Sequence, residues 1–137
     1  MKAIADTGFI VAFANVRDLH HDWAVQVAAR LTGPALTCEP VLAETAFHLR
    51  SVEFVLDLVR TRFLRPQVNV ADHLPRLIDL AKRYADREPD LADLCIVRMS
   101  ELYPQHVVVT VDESDFRIYR RNKRDVLPLL CPPRRTR

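Results

Sequence analysis

The sequence predicts an α/β fold: a three-layer α/β/α sandwich on a central, mainly parallel sheet. Two glycines, Gly8 and Gly33, in 137 residues are too few for the tight turns of an all-β protein. Short apolar runs with strand character alternate with helical patterns from end to end, which is the pattern of parallel strands joined by helices. The run 107–111 (VVVTV) is β-branched throughout, as suits a strand covered on both faces. A hydrophobic content of 49% excludes a largely disordered chain, and the length suits one core.

Residues 2–5 form a short buried strand, and 7–14 a helix with Thr7 as its expected N-cap. A helix over about 20–31 stops at Gly33-Pro34. Residues 35–38 form a second strand, followed by a helix over 40–50 with Pro40 in its first turn. Ser51 caps a helix reaching about Arg62, on which Val52, Val55, Leu56 and Val59 share a face. That face either packs inside the monomer or forms a groove for a partner helix. Residues 67–70 (QVNV) are the expected third strand. The helix over 74–86 carries Leu77, Ile78 and Ala81 as its stripe, and the helix over 91–102 is apolar almost all round, hence buried. A strand over 107–111, a short basic helix over about 114–121 and an edge strand over 127–130 complete the order. There are no repeats and no linker long enough for a second domain. The expectation is one domain over 1–137 with a short basic tail from about residue 131.

No apolar run approaches the ~20 residues that cross a bilayer, and Asp6 interrupts any leader-like start. The chain is therefore expected to be soluble and cytoplasmic. Cys38, Cys95 and Cys131 are odd in number, widely spaced and without a CxxC pair, which fits reduced thiols better than disulfides or zinc. No two of His20, His21, His48, His73 and His106 stand four apart on one helix, so a histidine metal site is not expected. His48, one turn beyond Glu44, remains a candidate for outer support. The net charge is only +2, yet Arg117, Arg120, Arg121, Lys123, Arg124, Arg134, Arg135 and Arg137 crowd the end. Such a cluster is either a phosphate-binding surface or a solvated tail.

Ligands of open parallel sheets bind beyond the carboxyl ends of the strands. Four acids fall where they can reach that edge. Asp6 ends the first strand, as a site acid or as a capping aspartate. Glu44 lies opposite the arc Val41, Leu42, Ala43, Ala46, Phe47 and Leu49, beside Thr45 and His48, as a site acid or a solvated one. Asp93 shares a row with Ile96, Val97 and Ser100 and points inward, or else Asp90 caps this helix with Asp93 at its third position. Asp112 follows the late strand, with Glu113 and Asp115 close behind. Two carboxylates ~4 Å apart repel by ~4 kcal/mol at an effective dielectric near 20, so a shared pocket calls for a cation. Oxygen-only donors favour Mg²⁺ or Mn²⁺ over zinc, and the usual task of such a site is phosphoester hydrolysis. Asp6-Thr7-Gly8 also occurs in aspartic proteases, but those are β-rich and here a helix follows. A phosphatase of the Asp-x-Asp type needs an aspartate where Gly8 stands.

Four segments, IADTGFIVAFANVRDLHHDWA, LAETAFHLR, DLADLCIVRMSEL and VVVTVDESDFRIYRR, together resemble the PIN-domain nucleases and, within them, the VapC-like toxins of type II toxin–antitoxin pairs. The resemblance runs nearly end to end. It implies Asp6, Glu44, Asp93 and Asp112 as the catalytic acids, with the metal on Asp6, Asp93 and Asp112 and Glu44 binding directly, through water or to a second ion. Thr7, Thr110 and Asp115 would support them. The implied activity is a Mg²⁺- or Mn²⁺-dependent endoribonuclease that hydrolyses RNA with metal-activated water, leaving 5′-phosphate and 3′-hydroxyl ends. Arg117, Arg120, Arg121, Lys123 and Arg124 are candidates for the RNA backbone. A homodimer and a cognate antitoxin protein are implied as well. Leu94 and Val111 depart from the family pattern and make the pocket wall more apolar. The rival reading is a catalytically silent PIN scaffold that binds RNA or protein.

Overall fold

Buried triplets build the middle of the sheet. β1 (Ala3–Ala5) and β2 (Ala35–Cys38) are buried at every residue, as strands covered on both faces must be. The structure, a computed structural model, describes residues 1–134; Arg135 and Arg137 of the expected basic tail lie outside the described residues. Five strands form one parallel sheet in the order β3–β2–β1–β4–β7, with β3 at Leu64–Val68, β4 at Val107–Val109 and β7 at Leu129–Leu130. β1 is central: Ile4 lies opposite Leu36 on one side and Val108 on the other. The chain steps outward from β1 to β2 to β3, then returns to place β4 on the opposite side of β1. The carboxyl ends of β1 and β4 are thus the point where strand order reverses, the usual crevice of such a sheet.

The helices α1 (Thr7–Ala14), α2 (His21–Ala29), α3 (Glu39–Leu49) and α4 (Val52–Arg60) make the two outward crossovers, with α1 packed on α2 and α3, and α3 on α4. α5 (Leu74–Arg83) and α6 (Leu91–Leu102) make the return crossover and pack on each other. Right-handed crossovers running in opposite directions put these two groups on opposite faces. α6 lies against β1, β2 and β4 and also meets α3, so the helices bearing Asp93 and Glu44 converge. Seven of its twelve residues are buried, which explains its near-continuous apolar sequence.

Several boundaries differ from expectation for local reasons. Asp6, not Thr7, caps α1: its extended backbone lets Oδ1 accept the Thr7 N–H at 2.8 Å, and Thr7 is already helical. β3 begins at Leu64 because Leu64 and Val68 are its buried residues, and an edge strand tolerates Pro66. On α5, Leu77 and Leu80 turn inward, while Ile78 is exposed. On α3, Thr45 is fully buried, its hydroxyl bonded to the Val41 carbonyl, whereas Phe47 is 80% exposed. Ser51 caps α4 by accepting the Phe54 N–H. Val55 and Leu58 of α4 are buried, but Val52 and Leu56 stay exposed at 64% and 60%. The expected basic helix is cut short: α7 spans Glu113–Phe116, and Arg120–Arg121 (β5) pairs antiparallel with Asp125–Val126 (β6) in a small hairpin.

Glu101 ties that hairpin down. Its carboxylate takes two bonds from Arg76, at 2.9 and 2.7 Å, and one from the Asn122 N–H at 2.6 Å. Burial pushes this acid upward, but Arg76, the Asn122 N–H and Arg98 together outweigh it and leave the carboxyl below its ordinary range. Cys38, Cys95 and Cys131 are free thiols, the first two buried. Among the described residues no helix is long and apolar enough to cross a membrane.

Candidate metal centre

Backbone geometry delivers the acids to the strand ends. The Asp6 N–H donates to the Val109 carbonyl at 3.1 Å, so Asp6 leaves β1 alongside the end of β4. Asp6 is only 7% exposed, and its Oδ2 accepts the Thr110 hydroxyl at 2.7 Å. Thr110 Oγ1 in turn accepts the Asp112 N–H at 2.9 Å. On the other side, the Thr7 hydroxyl donates to Glu44 Oε2 at 2.9 Å. Thr7, by its hydroxyl and its N–H, joins Glu44 on α3 to Asp6 after β1, and the Thr110 hydroxyl joins Asp6 to the Asp112 backbone after β4.

Asp93 satisfies both of its sequence readings. Its N–H is capped by Asp90 Oδ1 at 2.8 Å, and Ile96, Val97 and Ser100 on its row are buried. Oδ2 accepts the Tyr119 hydroxyl at 3.1 Å. Asp112 caps α7 by accepting the Asp115 N–H at 3.3 Å. Asp93, Asp112 and Asp115 each offer a carboxylate oxygen within 4.8 Å of the others. Asp115, expected only in support, thus joins the tight group, while Asp6 stands beside it behind Thr110 and Glu44 beside Thr7.

The acids feel one another. Burial pushes Asp6 up to about 6; bonds from Thr110 and Thr7 oppose this, and Asp112 and Glu44 add to it. Burial first, then Asp90 and Asp6, push Asp93 up to about 8, against the Tyr119 hydrogen bond. Asp112 is raised too, by burial and by Asp115. Arg87 Nη2 lies 3.7 Å from Asp115 Oδ1, yet Asp6, Asp93 and Asp112 still resist ionising, as acids crowded around a cation site do. Every donor here is a hard oxygen, so the set fits a Mg²⁺- or Mn²⁺-like ion and not zinc.

The basic residues divide. Arg117 is exposed and pairs with Glu113 at 3.3 Å. Arg120 turns its Nη1 onto the Ile118 and Tyr119 carbonyls, and Arg121 onto those of Ser100 and Pro104. Lys123, which with Asn122 makes the left-handed hairpin turn, and Arg124 after it are exposed. His48 is exposed and lies against Phe47.

Gly8 owes its place in Asp-Thr-Gly to packing. A Cβ there would stand 2.2 Å from Val111 Cγ2, on the segment between Thr110 and Asp112. Val111 is partly exposed, and Leu94, the other departure from the family pattern, is buried. Gly8→Ala is expected to cost about 1–3 kcal/mol by overpacking, with Gly8→Ala/Val111→Ala recovering most of it. Urea denaturation of both variants reads this directly, and an unchanged midpoint in Gly8→Ala contradicts it.

Sequence reasoning missed Tyr119, which falls within the short helix expected over about 114–121, and placed Asp115 only in support. The spacing Asp112-x-x-Asp115 held the clue, since a cap and its third helical residue sit side by side. A comparison with curated proteins returns no match. A family model described as PIN domain matches residues 3–122, a span that holds Asp6, Glu44, Asp93, Asp112 and Asp115. Such domains are generally metal-dependent nucleases, which agrees with the oxygen-only cluster at the strand ends. The chain belongs to the PIN-domain family.

Proposed function

We propose that this PIN domain is a Mg²⁺- or Mn²⁺-dependent endoribonuclease and the toxin of a toxin–antitoxin pair, cutting RNA phosphodiester bonds. The observation that supports it most is the meeting of Asp93, Asp112 and Asp115, with Asp6 and Glu44 adjoining, at the reversal of strand order. When bound, the cation supplies an activated water and offsets charge on the phosphate. In this reading Asp6, Asp93 and Asp112 hold it, Asp115 completes the group, and Glu44 keeps its second oxygen free for the ion or a water. The Thr7 hydroxyl fixes the Glu44 carboxylate and the Thr110 hydroxyl fixes that of Asp6. Lys123, Arg124 and the exposed Arg117 supply charge for the RNA backbone, while Arg120 and Arg121 hold the hairpin.

The resemblance to VapC-like toxins extends the reading to a cytoplasmic homodimer and a cognate antitoxin. One observation favours the antitoxin: α3 and α4 leave an apolar groove of about 850 Å³, lined by Phe47, Val52 and Leu56 among others. Such a groove suits the apolar face of a partner helix. An arginine from the same partner would pair with the acid cluster, since guanidinium bonds carboxylates two at a time.

The test is direct. Purified chain should cut RNA, stop in excess EDTA, and recover with Mg²⁺ or Mn²⁺; undiminished cutting in EDTA would overturn the cation reading. No cutting despite saturable Mn²⁺ binding would favour the silent scaffold. Expression alone should arrest growth, and co-expression with the adjacent small reading frame should relieve it. Harmless overexpression of an active enzyme would leave a nuclease that is not a toxin.

A further inference from the structure

We propose that Tyr119 is a positioning residue for the cation site, holding the Asp93 carboxylate toward Asp112 and Asp115. This rests on the cation-dependent reading above. Tyr119 is 1% exposed, and its ring is wedged edge-on between Tyr84 and Phe116, with centroids 5.0 and 5.5 Å away. A buried phenol hydroxyl needs a partner. Here the partner is Asp93 Oδ2, at 3.1 Å, an acid of the cluster and not a backbone carbonyl.

The local problem is repulsion. Asp93 stands in the first turn of α6, half-buried, with Asp90 on its own helix and Asp112 and Asp115 facing it. Left to itself, its carboxylate would swing toward water and away from those two acids. The Tyr119 hydroxyl opposes that swing. Its ring has two rotatable bonds, both fixed by packing, and the backbone beside it is anchored where the Arg120 N–H donates to the Tyr84 hydroxyl at 2.9 Å. A phenol is protonated at neutral pH, so it remains a donor. With one oxygen held by Tyr119, the carboxylate keeps a fixed orientation toward Asp112 and Asp115. Groups that orient a ligand in this way commonly change metal affinity 10–100-fold when removed.

Tyr119→Phe keeps the ring and deletes the hydroxyl. Calorimetric titration of Mn²⁺ into the metal-free chain should show affinity weakened about tenfold, and the Mn²⁺ concentration for half-maximal RNA cutting should rise in step, with kcat at saturating Mn²⁺ close to wild type. Tyr103→Phe is the control for a tyrosine outside the device: it loses a hydroxyl bond to Gln67 at the far end of α6, and should leave Mn²⁺ affinity unaltered. Wild-type Mn²⁺ affinity in Tyr119→Phe would overturn the role, as would equal weakening in Tyr103→Phe. A wild-type chain that binds no Mn²⁺ would instead overturn the cation-dependent reading itself, and this role with it.

Discussion

Asp6→Asn and Asp93→Asn should each cut RNA cleavage by about a hundred- to a thousandfold or more while leaving the chain folded. The substitutions remove a charge and little else. In Asp6→Asn the amide oxygen can keep the Thr7 N–H, and the amide nitrogen can donate to Thr110 Oγ1, whose hydroxyl proton then turns away. In Asp93→Asn the amide oxygen still accepts from Tyr119. Each change relieves repulsion in a pocket whose acids already resist ionising, so stability in EDTA should hold or rise. Cleavage of a labelled RNA and melting curves in EDTA, run on the same preparations, separate lost chemistry from lost fold. Wild-type cleavage by either variant would remove that acid from the site.

The two kinds of sequence signal differed in how far they reached. Helix and strand identity was legible because burial leaves periodic marks: α6 is apolar on nearly every face and is buried, and β1 and β4 are uninterrupted apolar runs at the sheet centre. Boundaries were less legible where one residue serves two roles. Asp6 both ends the strand and caps the helix, and this displaced Thr7 into the hydroxyl bond with Glu44. The third strand, expected over 67–70, lies at Leu64–Val68 and carries Pro66, which an edge strand tolerates. Arg120 and Arg121 looked like a basic helix face by charge alone, but they lie in a hairpin and spend their guanidiniums on carbonyls. For the candidate site, the sequence indicated which acids reach the strand ends. It could not indicate their mutual distances, because those depend on how α6 and the segment after β4 approach, and so the close approach of Asp115 and the donor Tyr119 stayed hidden.

Stability of the metal-free chain should fall as pH rises from 5 to 8, and a divalent cation should cancel or reverse that slope. Asp6 is pushed from the ordinary 3.8 up to about 6 in the folded chain. Between those values the folded state keeps a proton that the unfolded state has released. Stability then decreases with pH, since its slope follows protons bound unfolded minus protons bound folded. The contribution is fully present below about pH 4 and is lost by about pH 7. For this buried group the loss is about 3 kcal/mol. Asp93, raised to about 8, extends the fall toward pH 8, although its partial exposure lets solvent screen it. Mn²⁺ binds the ionised acids, so at pH 8 it should add about 2.7 kcal/mol at a hundred times its Kd, and far less at pH 5, where protons compete for the same oxygens. The two stability profiles, with EDTA and with Mn²⁺, should therefore diverge as pH rises. Urea midpoints measured from pH 5 to 8 in both conditions decide the matter. In EDTA, Asp6→Asn should flatten the lower half of the slope. A wild-type midpoint that stays level or climbs between pH 5 and 7 in EDTA would contradict the picture of buried, mutually repelling carboxyls.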